Sequence, residues 1–170
     1  MSEHTNTQGF TLIEMIVVIA LIAILSALAM PSFQQSIVRK QIETALPLAK
    51  IAQQPIELNW LIPPHRIVNN NSEAGLPNSD KIVSNYVKSV SIENGAVHIL
   101  FGNRAHPSIS GKMLSLRPAV IDDAAIVPIA WVCGKASAPT NMSVKGANRT
   151  SVADDYLPLD CREKKIVLAL

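Results

Sequence analysis

The strongest pattern in the chain is an apolar stretch near its N-terminus that runs from Phe10 to Met30 and contains one carboxylate, Glu14. A helix of about 20 apolar residues, rising about 1.5 Å per residue, can cross a hydrocarbon core about 30 Å thick. Placing an ionised group there costs about 3 kcal/mol. The pattern therefore predicts a membrane-spanning helix whose carboxylate needs a partner, unless Glu14 lies near the membrane surface and reaches water.

Beyond Met30 the apolar residues recur at spacings of three and four, with polar residues between them. These positions are Phe33, Ile37, Ile42, Ala45, Leu46, Ala49 and Ala52. They predict that the helix continues as an amphipathic segment packed on a globular domain. Proline loses a backbone hydrogen bond and clashes with the preceding turn, so Pro31, Pro47 and Pro55 indicate kinks or an early end. We place the helix end between Gln54 and Leu61.

After the helix, the stretch 62–85 is rich in turn-forming residues and has little periodicity, which predicts a long surface connection. From Tyr86 the period changes to two. Two alternating runs flank the pair Asn94-Gly95, which tolerates the positive φ angles of a type I′ turn. This segment therefore predicts a β-hairpin.

Two further strands are predicted, from Lys112 to Ile121 and from Ile126 to Gly134. Pro118 and Pro128 indicate edge positions or bulges, because proline cannot donate to the hydrogen-bond ladder. Four antiparallel strands packed against one long helix make an α+β fold. Subtracting the N-terminal segment from 170 residues leaves enough chain for one small domain.

Composition and motifs point away from catalysis. The net charge of +2 is small, and the positive mean hydropathy is dominated by the apolar helix, so neither identifies a nucleic-acid-binding protein. The four histidines form no H-E-x-x-H pattern, and the sequence has no G-x-S-x-G motif and no phosphate-binding loop. We predict a non-enzyme with no metal site and no cofactor.

The two cysteines, Cys133 and Cys161, are too far apart for a C-x-x-C metal or redox motif. A disulfide between them would suit a thin domain in an oxidising exterior, and closing this loop would stabilise the fold by about 3.5 kcal/mol. Two reduced, buried thiols are the alternative.

The six residues from Gly9 to Glu14, GFTLIE, resemble the prepilin processing site of type IV pilins. The resemblance implies that a dedicated prepilin peptidase cuts between Gly9 and Phe10 and that the new amino group of Phe10 is methylated. It also implies that this positive group pairs with Glu14 of a neighbouring subunit and fixes the register of assembly. Pro31 matches the proline at which the helix of this family kinks.

A conventional secretory signal is the rival interpretation, because Ala27-Leu28-Ala29 has the form of a signal-peptidase site. Residues 1–9 contain no Lys or Arg, however, and the apolar run is longer than in an ordinary signal. The first basic pair, Arg39-Lys40, follows the run, so the positive-inside rule alone favours the opposite orientation. Orientation therefore depends on the motif and the cysteines.

The residues around the two cysteines also resemble the C-terminal pilin pattern, in which a disulfide closes the D-region. The type IV pilin fold then implies that the subunit lies in the inner membrane before assembly and in an extracellular filament, the pilus or fimbrium, after assembly. The implied layout is a leader peptide (1–9), a transmembrane assembly helix (10–33), an amphipathic helix (34–61), an αβ loop (62–85), an antiparallel sheet (86–134), the D-region (133–161) and a C-terminal tail (162–170) that we expect to pack on the sheet or on a neighbour.

The resemblance implies a structural pilus subunit, polymerised through its N-terminal helix, that serves adhesion and twitching motility. Its expected partners are other pilin subunits, prepilin peptidase, the inner membrane with the pilus assembly platform, and a host surface. A type II secretion pseudopilin, which shares the processing motif, is one alternative.

A DNA-binding minor pilin for natural transformation is the other alternative. It is suggested by basic residues that would neutralise phosphates, in and beside the D-region: Lys135, Lys145, Arg149, Arg162, Lys164 and Lys165. Acidic residues interleave with them, so a solvated surface of mixed charge is the simpler interpretation.

Overall fold

A computed structural model of the protein describes residues 10–163, except for the side chains of residues 29–32. It contains one long helix, α1 (Leu12–Leu61), an antiparallel sheet and three single-turn 3₁₀ helices. The chain divides into two compact units, Met1–Gln35 and Ser36–Leu170. Residues 1–9, predicted to be a leader, the cations Lys164 and Lys165, and the rest of the predicted tail to Leu170 lie outside the described residues.

The first unit contains the N-terminal end of α1, which is capped by a capping box. Glu14 Oε2 accepts hydrogen bonds from the Thr11 backbone N–H at 2.9 Å and from the Thr11 hydroxyl at 2.8 Å, and Thr11 Oγ1 accepts from the Glu14 N–H at 3.4 Å. This reciprocal pairing satisfies two N–H groups at the helix start. By length and composition the helix could cross a membrane, and every side chain from Phe10 to Leu28 is exposed.

In the second unit α1 buries one face in the core. The buried positions are spaced by three and four residues: Val38, Ile42, Ala45, Ala49, Ala52, Ile56 and Trp60. Four of the predicted positions are among them, but the prediction was wrong for Phe33 and Ile37, which are 68 and 41 % exposed, because the packed face begins at Val38. The helix is unbroken at Pro47 and Pro55 and ends at Leu61, the far limit of the expected range. Pro47 is exposed, so water can reach the carbonyl group that it leaves unbonded.

The sheet has five strands, one more than expected. They are β1 (Val87–Glu93), β2 (Ala96–Phe101), β3 (Met113–Val120), β4 (Ala130–Cys133) and β5 (Ser143–Val144), with β1 to β4 in sequential order. Ala119 of β3 pairs with both Ala130 and Val144, so β4 and β5 lie on opposite edges of β3. A strand of two residues is too short for its periodicity to be recognised.

Pro118 does not mark an edge strand, because it lies in the central strand β3. Its carbonyl accepts a hydrogen bond from the Lys145 N–H at 2.9 Å, which places its nitrogen on the same side of the strand. On that side β2 has already turned at Asn94-Gly95, so a missing donor costs little. Pro128 precedes β4, which begins at Ala130 rather than Ile126.

The hairpin turn is confirmed: Asn94 and Gly95 both have positive φ, at 48° and 83°. The connection 62–85 also forms hydrogen bonds with the hairpin turn. Its carbonyls at Val68 and Asn69 accept hydrogen bonds from Gly95 and Asn94, at 2.8 and 3.0 Å. The loop therefore holds the tip of the hairpin.

Asn71 ties the same loop to the outer edge of β1. Its amide group, 9 % exposed, donates to the carbonyls of Pro77 and Val90 and accepts from the Ile92 N–H at 2.7 Å. These bonds cover an edge that would otherwise present unpaired backbone groups.

Cys133 and Cys161 form a disulfide across a separation of 28 residues, which excludes the alternative of two free thiols. The Lys135 N–H donates to the Cys161 carbonyl at 2.9 Å, so backbone hydrogen bonding supports the same closure. Val152 and Leu157 anchor the enclosed segment in the core.

Candidate assembly and surface sites

Glu14 is the only charged residue between Phe10 and Val38. Its hydrogen bonds within the chain are to Thr11, a neutral residue. Because this stretch of the chain contains no cation, a positive partner for Glu14 has to come from a new amino terminus or from another molecule.

The second unit exposes an apolar stripe on α1 at a spacing of seven residues. Ile37, Ile51 and Leu58 are 41, 47 and 58 % exposed, and Thr44 occupies the intervening position. At 3.6 residues per turn, this stripe lies on a different face from the buried positions. The helix thus buries one apolar face and leaves a second one open to a partner.

Three of the D-region cations are already paired. Lys135 lies 2.6 Å from Asp154, Lys145 lies 2.7 Å from Asp122, and Arg149 lies 2.6 Å from Glu93. Hydrogen bonds from Lys145 and Ser143 hold the pKa of the Asp122 carboxyl below its ordinary value.

Arg162 donates to the backbone carbonyls of Leu157 and Asp155, at 2.8 and 3.1 Å. Four of the cations considered for DNA contact lie in residues 10–163, and each of them therefore has a partner. Two of the pairing carboxylates, Asp122 and Glu93, come from other elements, which the sequence could not reveal.

His98 forms a buried polar cluster under the Glu93–Arg149 ion pair. Its Nδ1 shares a hydrogen bond with the Ser115 hydroxyl at 2.9 Å, and its Nε2 lies 3.7 Å from Glu93. The Arg149 backbone N–H also donates to Ser115 Oγ, at 2.8 Å. Burial lowers the pKa of His98, with a further contribution from Arg149 that Glu93 opposes. The cluster joins the D-region to the sheet and resembles no catalytic or metal site.

Comparison with known proteins agrees with this geometry. The pilin family, described as a bacterial filament, matches residues 38–162, and the prokaryotic N-terminal methylation motif matches residues 4–30. The capped apolar helix start, the sheet on an amphipathic helix and the C-terminal disulfide together define a filament-forming subunit.

Similar proteins narrow this class. A fimbrial protein of Neisseria meningitidis serogroup A is 33 % identical over 94 % of this chain and 96 % of its own length. The type IV major pilin protein PilE of Neisseria gonorrhoeae is 34 % identical with the same coverage. The fimbrial protein EcpC of Eikenella corrodens is 28 % identical over 91 % of this chain and 90 % of its own. The chain belongs to the type IV pilin family, whose members are structural subunits that assemble with other pilin subunits into pili.

Proposed function

We propose that prepilin peptidase cleaves this chain between Gly9 and Phe10 and that the N-methylated amino group of Phe10 pairs with Glu14 of the neighbouring subunit. The observation that carries this proposal is the lone charge of Glu14 in a stretch without a cation. Pairing across subunits would neutralise a carboxylate that is costly in an apolar environment, and it would fix the helical register.

The subunit would be located in the inner membrane before assembly and would enter the pilus at the assembly platform. On the cell surface it would serve adhesion and twitching motility. The exposed stripe of Ile37, Ile51 and Leu58 would then pack against other subunits. Pro31 would give the helix its kink.

Neither alternative role gains support. The basic residues give a DNA receptor little support, because Lys135, Lys145 and Arg149 are each paired with a carboxylate that a phosphate would have to displace. A secretion pseudopilin is not favoured, because the similar proteins are fimbrial proteins and major pilins.

The test is mass spectrometry of the mature chain from sheared pili of a strain that expresses it as its sole major pilin. We expect an N-terminus at Phe10 that carries one methyl group. A chain that begins at Met30, after Ala27-Leu28-Ala29, would instead identify a conventional secretory signal and overturn the proposal. A matched strain without the gene, which should yield no filaments, controls for other pilins.

A further inference from the structure

A groove lies between the C-terminal part of α1 and the edge strand β4. One cavity of about 320 Å³ is lined by Lys50, Gln53, Gln54, Glu57 and Trp131. A second, of about 180 Å³, is lined by Glu57, Trp60, Leu61, Pro128 and Ile129. Glu57 lines both, so the two cavities adjoin and form one groove that is polar at one end and apolar at the other.

Gln53 is the unexplained residue of this groove. It is only 9 % exposed and lines the larger cavity, yet within residues 10–163 its amide group forms no hydrogen bond. Its amide atoms keep access to solvent in the cavity, so water satisfies them until a ligand displaces it. An amide offers two donors and one acceptor, so Gln53 is suited to a ligand that also both donates and accepts, as a hydroxyl group does.

Trp131, from β4, forms the opposite wall, and Glu57 lies one turn after Gln53 on α1. The Trp131 indole N–H donates to Glu57 Oε1 at 2.7 Å, which fixes the ring across the groove. An ionised carboxylate has about four lone-pair sites, so Glu57 can accept further hydrogen bonds. Trp131 is half-buried and keeps part of its ring accessible.

The composition of the groove defines the ligand. The charges of Lys50 and Glu57 cancel, which favours a neutral molecule over an anion. Amide and carboxylate groups beside an indole ring suit a compound with hydroxyl groups at its rim and C–H groups on its face, which describes a sugar ring. The apolar end, at Leu61, Pro128 and Ile129, would take a methyl or methylene substituent.

We propose that the groove between α1 and β4 binds a neutral saccharide. The proposal deepens the adhesive role proposed above, and rests on it for its biological use, by naming the class of ligand that the pilin contacts. The same ring is presented by a saccharide free in solution and by the end of a surface glycan, so the site admits either source.

The experiment uses the full chain in micelles of a detergent without a sugar headgroup. Trp60 and Trp131 are the only tryptophans of the sequence and both line the groove, so intrinsic fluorescence reports binding. The probes are galactose, glucose, mannose, N-acetylglucosamine and N-acetylgalactosamine. We expect a saturable change with at least one of them.

Gln53→Leu keeps the size of the side chain and removes its hydrogen bonds, so we expect at least a tenfold loss of affinity. Asn59→Leu is the matched control, because it makes the same type of change on an exposed site of the same helix that lines neither cavity. Trp131→Phe, which keeps a ring but loses the bond to Glu57, gives a second test if Gln53→Leu lowers the yield of folded protein.

A titration in which no sugar gives a saturable change would overturn the proposal, as would binding that both variants leave intact. A glycan array distinguishes the sources: binding to immobilised glycans identifies a surface ligand, whereas binding of free sugars alone identifies a soluble one, and both support the site. The proposed function fails separately, through the N-terminus of the mature chain, which the titration does not examine.

Discussion

At the scale of single residues, His98 shows how a polar group is accommodated under the D-region. The ring is 1 % exposed and bonds to Ser115, which also accepts from the backbone of Arg149. A positive charge on this ring would be desolvated and would face Arg149. Burial and Arg149 therefore favour the neutral form of His98 in the folded chain, and Glu93 opposes them in part.

The pH dependence of stability follows from the lowered pKa of His98. The folded state binds fewer protons than the unfolded state, so the contribution is complete above the unfolded pKa of about 6.5 and is lost as the pH falls below it. We expect the free energy of unfolding of the wild-type chain, measured by urea denaturation, to fall between pH 7 and pH 5. The contribution of His98 to this fall should stay below the one-proton limit of about 1.4 kcal/mol per pH unit.

His98→Gln should flatten this dependence, because glutamine places no titrating group in the cluster. Equal slopes for the wild type and His98→Gln would show that other groups control acid stability.

At the scale of elements, local signals were predictable and distant pairings were not. Asn94-Gly95 is a contiguous pair, so the sequence predicts the hairpin directly. The bond from Asn71 to Val90 spans 19 residues, and the Arg149–Glu93 pair spans 56. Both depend on how the chain folds back, and no periodicity reports that. The same limit applies to the groove, whose Gln53 and Trp131 come from a helix and a strand far apart in the sequence.

The αβ loop gives a prediction at this scale. Asn71→Ala leaves two carbonyls and one N–H without their partner, so we expect it to lower the free energy of unfolding by roughly 2–3 kcal/mol. Asn78→Ala, an exposed site in the same loop, should change stability by less than about 0.5 kcal/mol. Chemical denaturation followed by tryptophan fluorescence measures both. Similar values for the two variants would mean that Asn71 does not hold the loop on β1.

At the scale of the whole molecule, the two faces of α1 separate folding from assembly. The buried face belongs to the core, and the exposed stripe of Ile37, Ile51 and Leu58 contributes nothing to it. The sequence predicted the first face through its periodicity. It assigned Ile37 of the second face to the first, because exposure becomes visible only once the packed side of the helix is known.

Ile51→Asp should therefore leave the melting temperature of the subunit nearly unchanged and reduce filament yield at least tenfold, because an unpaired charge would be buried between subunits. Val83→Asp is the matched control, since Val83 is 48 % exposed, as Ile51 is 47 %, but lies in a loop. Sheared pili are quantified by immunoblot against total subunit. Normal filament yield from Ile51→Asp would exclude the stripe from the interface.

The most direct measurement of the central claim is the incorporation of Glu14→Gln into pili. Glutamine preserves the capping box with Thr11 but removes the charge, whereas Thr11→Ala removes the cap and keeps the charge. We expect Glu14→Gln subunits to be exported and cleaved normally but to enter sheared pili at less than about a tenth of the wild-type level, and Thr11→Ala subunits to assemble. Wild-type incorporation of Glu14→Gln would show that Glu14 serves the helix cap alone and that no charge pairing fixes the register.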